Sequence, residues 1–333
     1  IQAECPRFST GEGKGTILES VRGYDLYILC DVTNYKVTYP MYDVQSHMSP
    51  DDHFADLKRL IAAAGNKPYR ITVIMPYLYE GRQHRRTTRE SLDAAIALKE
   101  LYELGVHNIL TFDAHDPRVV NAAPVASFDN VMPTYQMLKA LLKTQPDIRI
   151  DKDHFMIIAP DEGAADRSIY YASMMGLDLG LFYKRRDYST IVDGRNPIVA
   201  HEYLGDSVEG KDVLIPDDIL ATGESMLDIA RELRRRKAGR VFLATTFALF
   251  TKGYEVFDKA YEDGLFDMLY STNLTSLPPE LKTRPWFTEV NVSKYISLLI
   301  ATLNHDASIS GLLNPGERID ALLARHSQKQ LAR

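Results

Sequence analysis

Two adjacent carboxylates, Asp217 and Asp218, follow the apolar run Val213-Leu214-Ile215 and precede Thr222, Gly223 and Ser225. Hydroxyls, a glycine and unpaired backbone N–H groups at the start of a helix suit a phosphate, because those donors and the helix dipole both favour an anion. The acidic pair suits sugar hydroxyls or Mg2+, a hard cation that prefers oxygen ligands. Met226, Ile229, Ala230 and Leu233 then recur at i, i+3, i+4 and i+7, which gives one apolar helical stripe. The stretch reads as a strand that ends in the acidic pair, a loop that could hold a sugar phosphate, and a helix. A solvated acidic turn is the plainer alternative.

Four further clusters carry chemistry. Arg82, Arg85 and Arg86, with Gln83 and His84, suit a polyphosphate, because a guanidinium fork pairs with phosphate oxygens; otherwise they form a solvated basic loop. Asp113, His115 and Asp116 could bind a metal or a phosphate or move protons, or be structural. Asp161, just before Gly163, could cap a helix or hold Mg2+ through water. Lys184, Arg185 and Arg186 could stabilise charge on a transferring phosphoryl group, or be surface charge. The Arg234-Arg235-Arg236 run lies on the polar side of a helix and is assigned nothing. No P-loop, nucleophile elbow or zinc-protease motif occurs in the sequence.

These residues need elements to position them. Strands are expected at Leu26–Cys30, Ile71–Met75, Ile109–Phe112, Phe155–Ala159, Leu181–Tyr183, Val213–Ile215, Val241–Thr245 and Met268–Tyr270. A helix over about 90–104, striped by Ala94, Ala97, Leu98 and Leu101, separates two of them, with Gly105 as its stop. Strands alternating with helices imply right-handed crossovers and mostly parallel sheets, an α/β architecture. Two such series appear, joined by the polar stretch 143–153. A helix starts near Ser293, and the tail after Pro315 reads as a surface helix striped by Ile319, Leu322 and Leu323. Parallel sheets bind ligands at the carboxyl ends of their strands, and each cluster above follows a strand.

Composition sets the bounds. At 333 residues, 45% hydrophobic and 25% charged, the chain is ordinary globular protein of two-domain size. A net charge of −6 points to no nucleic-acid or membrane footprint. Two cysteines fit a reducing cytosol, no apolar run is long enough to span a bilayer, and no signal peptide is read.

In order along almost the whole chain, the motifs resemble those of the ribose-phosphate pyrophosphokinase (phosphoribosyl pyrophosphate, PRPP, synthetase) family. PRFSTGE (6–12) is similar to the family's RFSDGE, and SVRGYDLYI (20–28) to its NVRG segment. ITVIMPYLYEGRQHRR (71–86) resembles its IPYFGYARQDR run, and LTFDAHD (110–116) its segment around the same histidine. APDEGAADR (159–167), YKRR (183–186), IPDDILATGES (215–225) and DASISGLL (306–313) have counterparts too. The resemblance implies two phosphoribosyltransferase-like domains, each a mostly parallel sheet flanked by helices. They would span 1–140 and 141–291, with 292–313 packing back on the first.

The implied reaction transfers diphosphate from MgATP to O1 of ribose 5-phosphate, giving PRPP and AMP. Phe8 would sandwich adenine near Glu12, Arg82 and Gln83, partly across a subunit boundary. His115 and Asp161 would hold Mg-ATP, and Lys184 and Arg186 would stabilise the transition state. Asp217 and Asp218 would grip ribose hydroxyls, and Thr222, Gly223 and Ser225 the 5-phosphate. Dimers built into hexamers, in the cytoplasm, are implied. A non-catalytic paralogue and a PRPP-using phosphoribosyltransferase are the alternatives. The chain departs from the family at Thr10 and His84, where the family has Asp, and at Ala221 and Glu224, where its DTGGT has Asp and Gly. Its 31–69 segment is longer than the family's, and the family's usual first strand and helix are absent from the sequence.

Overall fold

Alternation of two-residue and 3.6-residue hydrophobic periods gives a chain of strands and helices, described by a computed structural model for residues 1–186 and 198–331; the side chains of 184–186 and 198–201 lie outside the description. It begins with a short antiparallel pair, β1 (Ala3–Glu4) and β2 (Thr16–Ile17), then β3 (Asp25–Leu29). The long 31–69 segment forms an antiparallel hairpin, β4 (Thr38–Met41) and β5 (Val44–His47), followed by helix α1 (Pro50–Ala64). Ser49 caps α1 through a reciprocal box with Asp52, with Pro50 at its first turn, which satisfies backbone donors the helix start would leave open. Then come β6 (Arg70–Ile74), α2 (Asp93–Glu103), β7 (Asn108–Phe112) and β8 (Ser127–Val131). β3, β6, β7 and β8 form a four-stranded parallel sheet in the order β3-β6-β7-β8.

The second series runs α3 (Thr134–Thr144), β9 (Phe155–Ala159), α4 (Ala165–Met175), β10 (Leu179–Arg186), β11 (Ile198–Leu204), β12 (Asp212–Leu220), α5 (Glu224–Arg235), β13 (Val241–Ala248), α6 (Glu255–Glu262), β14 (Met268–Thr272) and β15 (Phe287–Val290). Its sheet has the order β11-β10-β9-β12-β13-β14-β15, parallel except for the β10–β11 pair. Three helices finish the chain: α7 (Ser293–Asn304), α8 (Ser310–Leu313) and α9 (Gly316–Leu331).

Two compact units result. One comprises Ile1–Pro133, Leu274–Ser276 and Ser293–Leu313; the other comprises Thr134–Asn273, Leu277–Val292 and Asn314–Arg333. In the first, Ile71, Val73 and Met75 pack with Phe54, Leu57 and Ile61 of α1 and Leu98 and Leu101 of α2. In the second, strand alternation splits the apolar residues between two cores. Met156, Ile158, Val213 and Ile215 meet α5, while Phe155, Ile157 and Leu214 meet the layer holding α3, α4 and Ile319 of α9.

Several elements differ from the sequence reading. β12 does not end before the carboxylates but runs through them to Leu220, because β13 extends equally far and pairs with it up to Leu220 opposite Ala248. The helix expected at 90–104 starts at Asp93. α9 is no plain surface helix: Ile319 is fully buried, and His326 Nε2 lies 2.8 Å from the Ile148 carbonyl.

Candidate active site

In the second unit, the order in which strands join the sheet reverses between β9 and β12, which run parallel. β10 and β11 lie to one side of β9, and β13 to β15 lie beyond β12. Ligands of open parallel sheets bind at such a switch, outside the carboxyl ends of the strands. β9 pairs with β12 only as far as Leu214, so the end of β12 stands beyond it and carries Asp217 and Asp218. Asp218 is 3% exposed. Its backbone N–H donates to Asp217 Oδ1 at 2.9 Å, and Thr245 Oγ1 donates to its carbonyl at 3.0 Å.

Arg167, on α4 and itself buried, faces both carboxylates. Its Nη1 is 3.8 Å from Asp217 Oδ1 and its Nη2 3.6 Å from Asp218 Oδ2. Burial, followed by the neighbouring Asp218 carboxylate, holds the Asp217 carboxyl well above the usual carboxylate range, against the opposing pull of Arg167. Such a pair is poised to accept hydroxyl donors or a cation. Arg167 closes the APDEGAADR motif, and its type and spacing alone do not mark it as a site residue.

Beyond Leu220 the chain turns through 221–223 into α5. Gly223 occupies the N-cap position with φ +81° and gives no side-chain cap to the helix start. A Cβ on it would fall 2.0 Å from Phe257 Cζ, so both conformation and space demand glycine. The Glu224 N–H lies 3.4 Å from Thr222 Oγ1. Thr222 lies in this turn and Ser225 in the first turn of α5, so the sequence brings two hydroxyl residues to a helix start. Asp161 follows β9 after Pro160, and its Oδ1 accepts from the Ala164 N–H at 3.2 Å, the capping role. The backbones of Lys184 and Arg186 lie on β10 past the last residue paired with β9. Their side chains, two of the catalytic candidates, lie outside the described residues.

In the first unit, Phe8 is 60% exposed on a turn closed by Phe8 N–H to Glu12 O (2.8 Å) and Gly11 N–H to Phe8 O (2.9 Å). Arg7 anchors it with paired 2.8 Å bonds to Asp56 of α1. The β4–β5 hairpin braces it: Tyr42 N–H donates to Ser9 O at 3.0 Å, and Met41 lies against Gly11, whose φ is +93°. The Glu12 carboxylate accepts from Thr10 Oγ1 at 3.0 Å.

After β6, Arg82 is exposed, and Gln83 Nε2 donates to the Ser91 carbonyl at 2.9 Å. After β7, Asp113 has φ +44°, a sharp turn that leaves His115 exposed. The rings of His84 and His115 meet edge-on at 5.7 Å, and His84 Nε2 lies 3.0 Å from Asp116 Oδ2. Hydrogen bonds from Arg118, with help from His84, hold the Asp116 carboxyl down at about 2. His115 and Asp161, the two metal candidates, belong to different units. Among the described residues no group of three His, Cys, Asp or Glu side chains gathers as a metal site.

Two α/β units, one with a glycine-bearing loop beside an acidic pair at a sheet switch point, define a protein of the phosphoribosyltransferase fold. Residues 1–105 match the model of the N-terminal domain of ribose phosphate pyrophosphokinase, and residues 136–279 match that of the phosphoribosyl transferase domain. The chain belongs to the ribose-phosphate pyrophosphokinase family. It is 28% identical to the ribose-phosphate pyrophosphokinase of Vibrio parahaemolyticus over 321 residues, covering 94% of this chain and 91% of that one. It is also 28% identical to the one from Chromobacterium violaceum over 319 residues, covering 94% and 87%. A phosphoribosylpyrophosphate synthetase from Mycobacterium smegmatis shares the fold, with a TM-score of 0.75 at 18% identity, over 92% of this chain and 91% of that one.

Proposed function

We infer that the protein is a ribose-phosphate diphosphokinase, which moves the β,γ-diphosphoryl group of MgATP to O1 of ribose 5-phosphate and releases AMP. The observation that carries this reading is the Asp217–Asp218 pair, faced by Arg167 of α4, on the strand that leads into the Gly223 turn. Thr222, Gly223 and Ser225 hold the 5-phosphate at the start of α5. Asp217 and Asp218 accept hydrogen bonds from ribose hydroxyls, which relieves the repulsion between them. Phe8 stacks on adenine, with Glu12, Arg82 and Gln83 beside it.

O1 attacks the β-phosphorus in line. The O1–Pβ bond forms, and the bond from Pβ to the oxygen bridging to Pα breaks. AMP leaves with that electron pair, and the O1 proton passes to solvent. Such a transfer needs positioning and charge neutralisation rather than covalent help. Lys184 and Arg186 supply cations to the transferring group.

The candidate donors are hard carboxylate oxygens and an imidazole, without a three-ligand cluster among the described residues. Hard oxygen donors fit Mg2+, which would come as the ion of MgATP; His115 in the first unit and Asp161 in the second are each proposed as residues that would hold it. Bound there, the ion supplies neutralisation of phosphate charge.

The same reading makes the protein a cytoplasmic homo-oligomer; its cysteines, Cys5 and Cys30, are unbridged, and no described helix is long and apolar enough to cross a membrane. Incubation of the purified chain with Mg2+, ATP and ribose 5-phosphate tests the activity. AMP and PRPP should appear in equal amounts and only when the sugar phosphate is present. ATP left intact in that mixture would defeat the reading.

A further inference from the structure

Glu224 places a carboxylate on the first residue of α5, immediately after Gly223. An anion there opposes a phosphate at the same helix start. The structure shows where that charge goes: Lys252 Nζ donates to Glu224 Oε1 at 2.8 Å. Lys252 comes from the turn after β13, and this turn is fastened to the phosphate turn. Leu249 N–H donates to the Leu220 carbonyl at 2.8 Å, and Thr251 N–H donates to the Ala221 carbonyl at 2.9 Å. Phe250 packs edge-on against Phe257 at 5.1 Å, the same ring that presses on Gly223. Backbone and ring contacts thus fix the base of Lys252 beside the loop.

The pair is 62% and 61% exposed, so it adds little to stability by itself. Its effect falls on the neighbouring anion site, where one uncompensated charge near a dianion changes affinity. We propose that Lys252 is a positioning residue for the sugar phosphate, neutralising Glu224 and holding its carboxylate off the loop. Lys252 makes the departure at Glu224 tolerable, because a Glu in place of the family's Gly is accepted where a cation from the next turn cancels its charge. This rests on the assignment of the 221–225 turn to the 5-phosphate.

Calorimetric binding of ribose 5-phosphate to the full chain tests it without requiring turnover. Lys252→Ala should weaken binding by roughly fivefold in low salt, with the difference shrinking as salt rises. Lys252→Arg should restore it, and kcat should be unchanged in all three proteins. In a Glu224→Gly background, Lys252→Ala should change affinity by less than about twofold, because the charge it cancels is gone. Wild-type affinity in Lys252→Ala, or the same loss in both backgrounds, would overturn the proposal while leaving the loop assignment standing. A wild-type chain that does not bind ribose 5-phosphate would overturn both.

Discussion

The backbone of Gly223 passes so close to the ring of Phe257 that any side chain there would collide with it, at 2.0 Å for a Cβ. The contact joins the loop to the core under α5 and fixes the direction in which the helix start points. Gly223→Ala should therefore cost about 3 kcal/mol, part from the positive φ and part from overpacking. Urea denaturation should show that loss, and ribose 5-phosphate binding should fall with it. Full stability in the variant would mean that the Phe257 ring moves aside freely.

Asp217 sets stability against function. Its carboxyl is raised by burial and by Asp218, so the folded state holds a proton more tightly than the unfolded chain. The contribution this makes is fully present below about pH 4, the unfolded value, and is lost as pH rises through the folded-state value. As pH rises, ionising the second carboxyl of this crowded pair burdens the fold. Asp217→Asn should stabilise the ligand-free protein by about 1 kcal/mol at pH 7 and lower kcat/KM for ribose 5-phosphate by about tenfold or more. Thermal unfolding across pH checks the first part; a variant less stable than wild type at pH 7 would contradict it.

Asp116 has the opposite sign. Arg118 and His84 hold its carboxyl down at about 2, so its contribution is present above about pH 4 and is lost as pH falls through the folded-state value. Asp116→Asn should cost on the order of 1 kcal/mol at pH 7, a figure discounted because Arg118 is largely exposed. The gap between the two proteins should close between roughly pH 4 and pH 2. A gap independent of pH would assign the loss to packing instead.

Lys184 is the sharpest catalytic assignment. Lys184→Ala should lower kcat by about a thousandfold with an unchanged unfolding midpoint, as expected for a cation that acts on the transferring group. Near wild-type kcat would remove Lys184 from the mechanism.

Much of this was legible in the sequence because strand cores are contiguous apolar runs. Phe155–Ala159 reads directly as β9, and the 3.6-residue stripe from Met226 to Leu233 reads as the inner face of α5. β8 and β15 carried no such signal, since Ser127–Val131 and Phe287–Val290 mix polar and apolar residues and are specified by their neighbours in the sheet. α1 carries one in the Ser49–Asp52 capping box. The extent of β12 was hidden because polar Asp217 and Asp218 continue a strand only through pairing with β13. Arg167 and Lys252 could not be placed by spacing, because each reaches its carboxylate partner across a different element of the fold.

The central claim is transfer of two phosphates as one group to the sugar. ATP labelled separately at the β- and γ-phosphates, with ribose 5-phosphate as acceptor, tests it most directly. Both labels should move together into one sugar product, while label at the α-phosphate stays in AMP. Transfer of the γ-label alone, or no labelled sugar product with all substrates present, would contradict it.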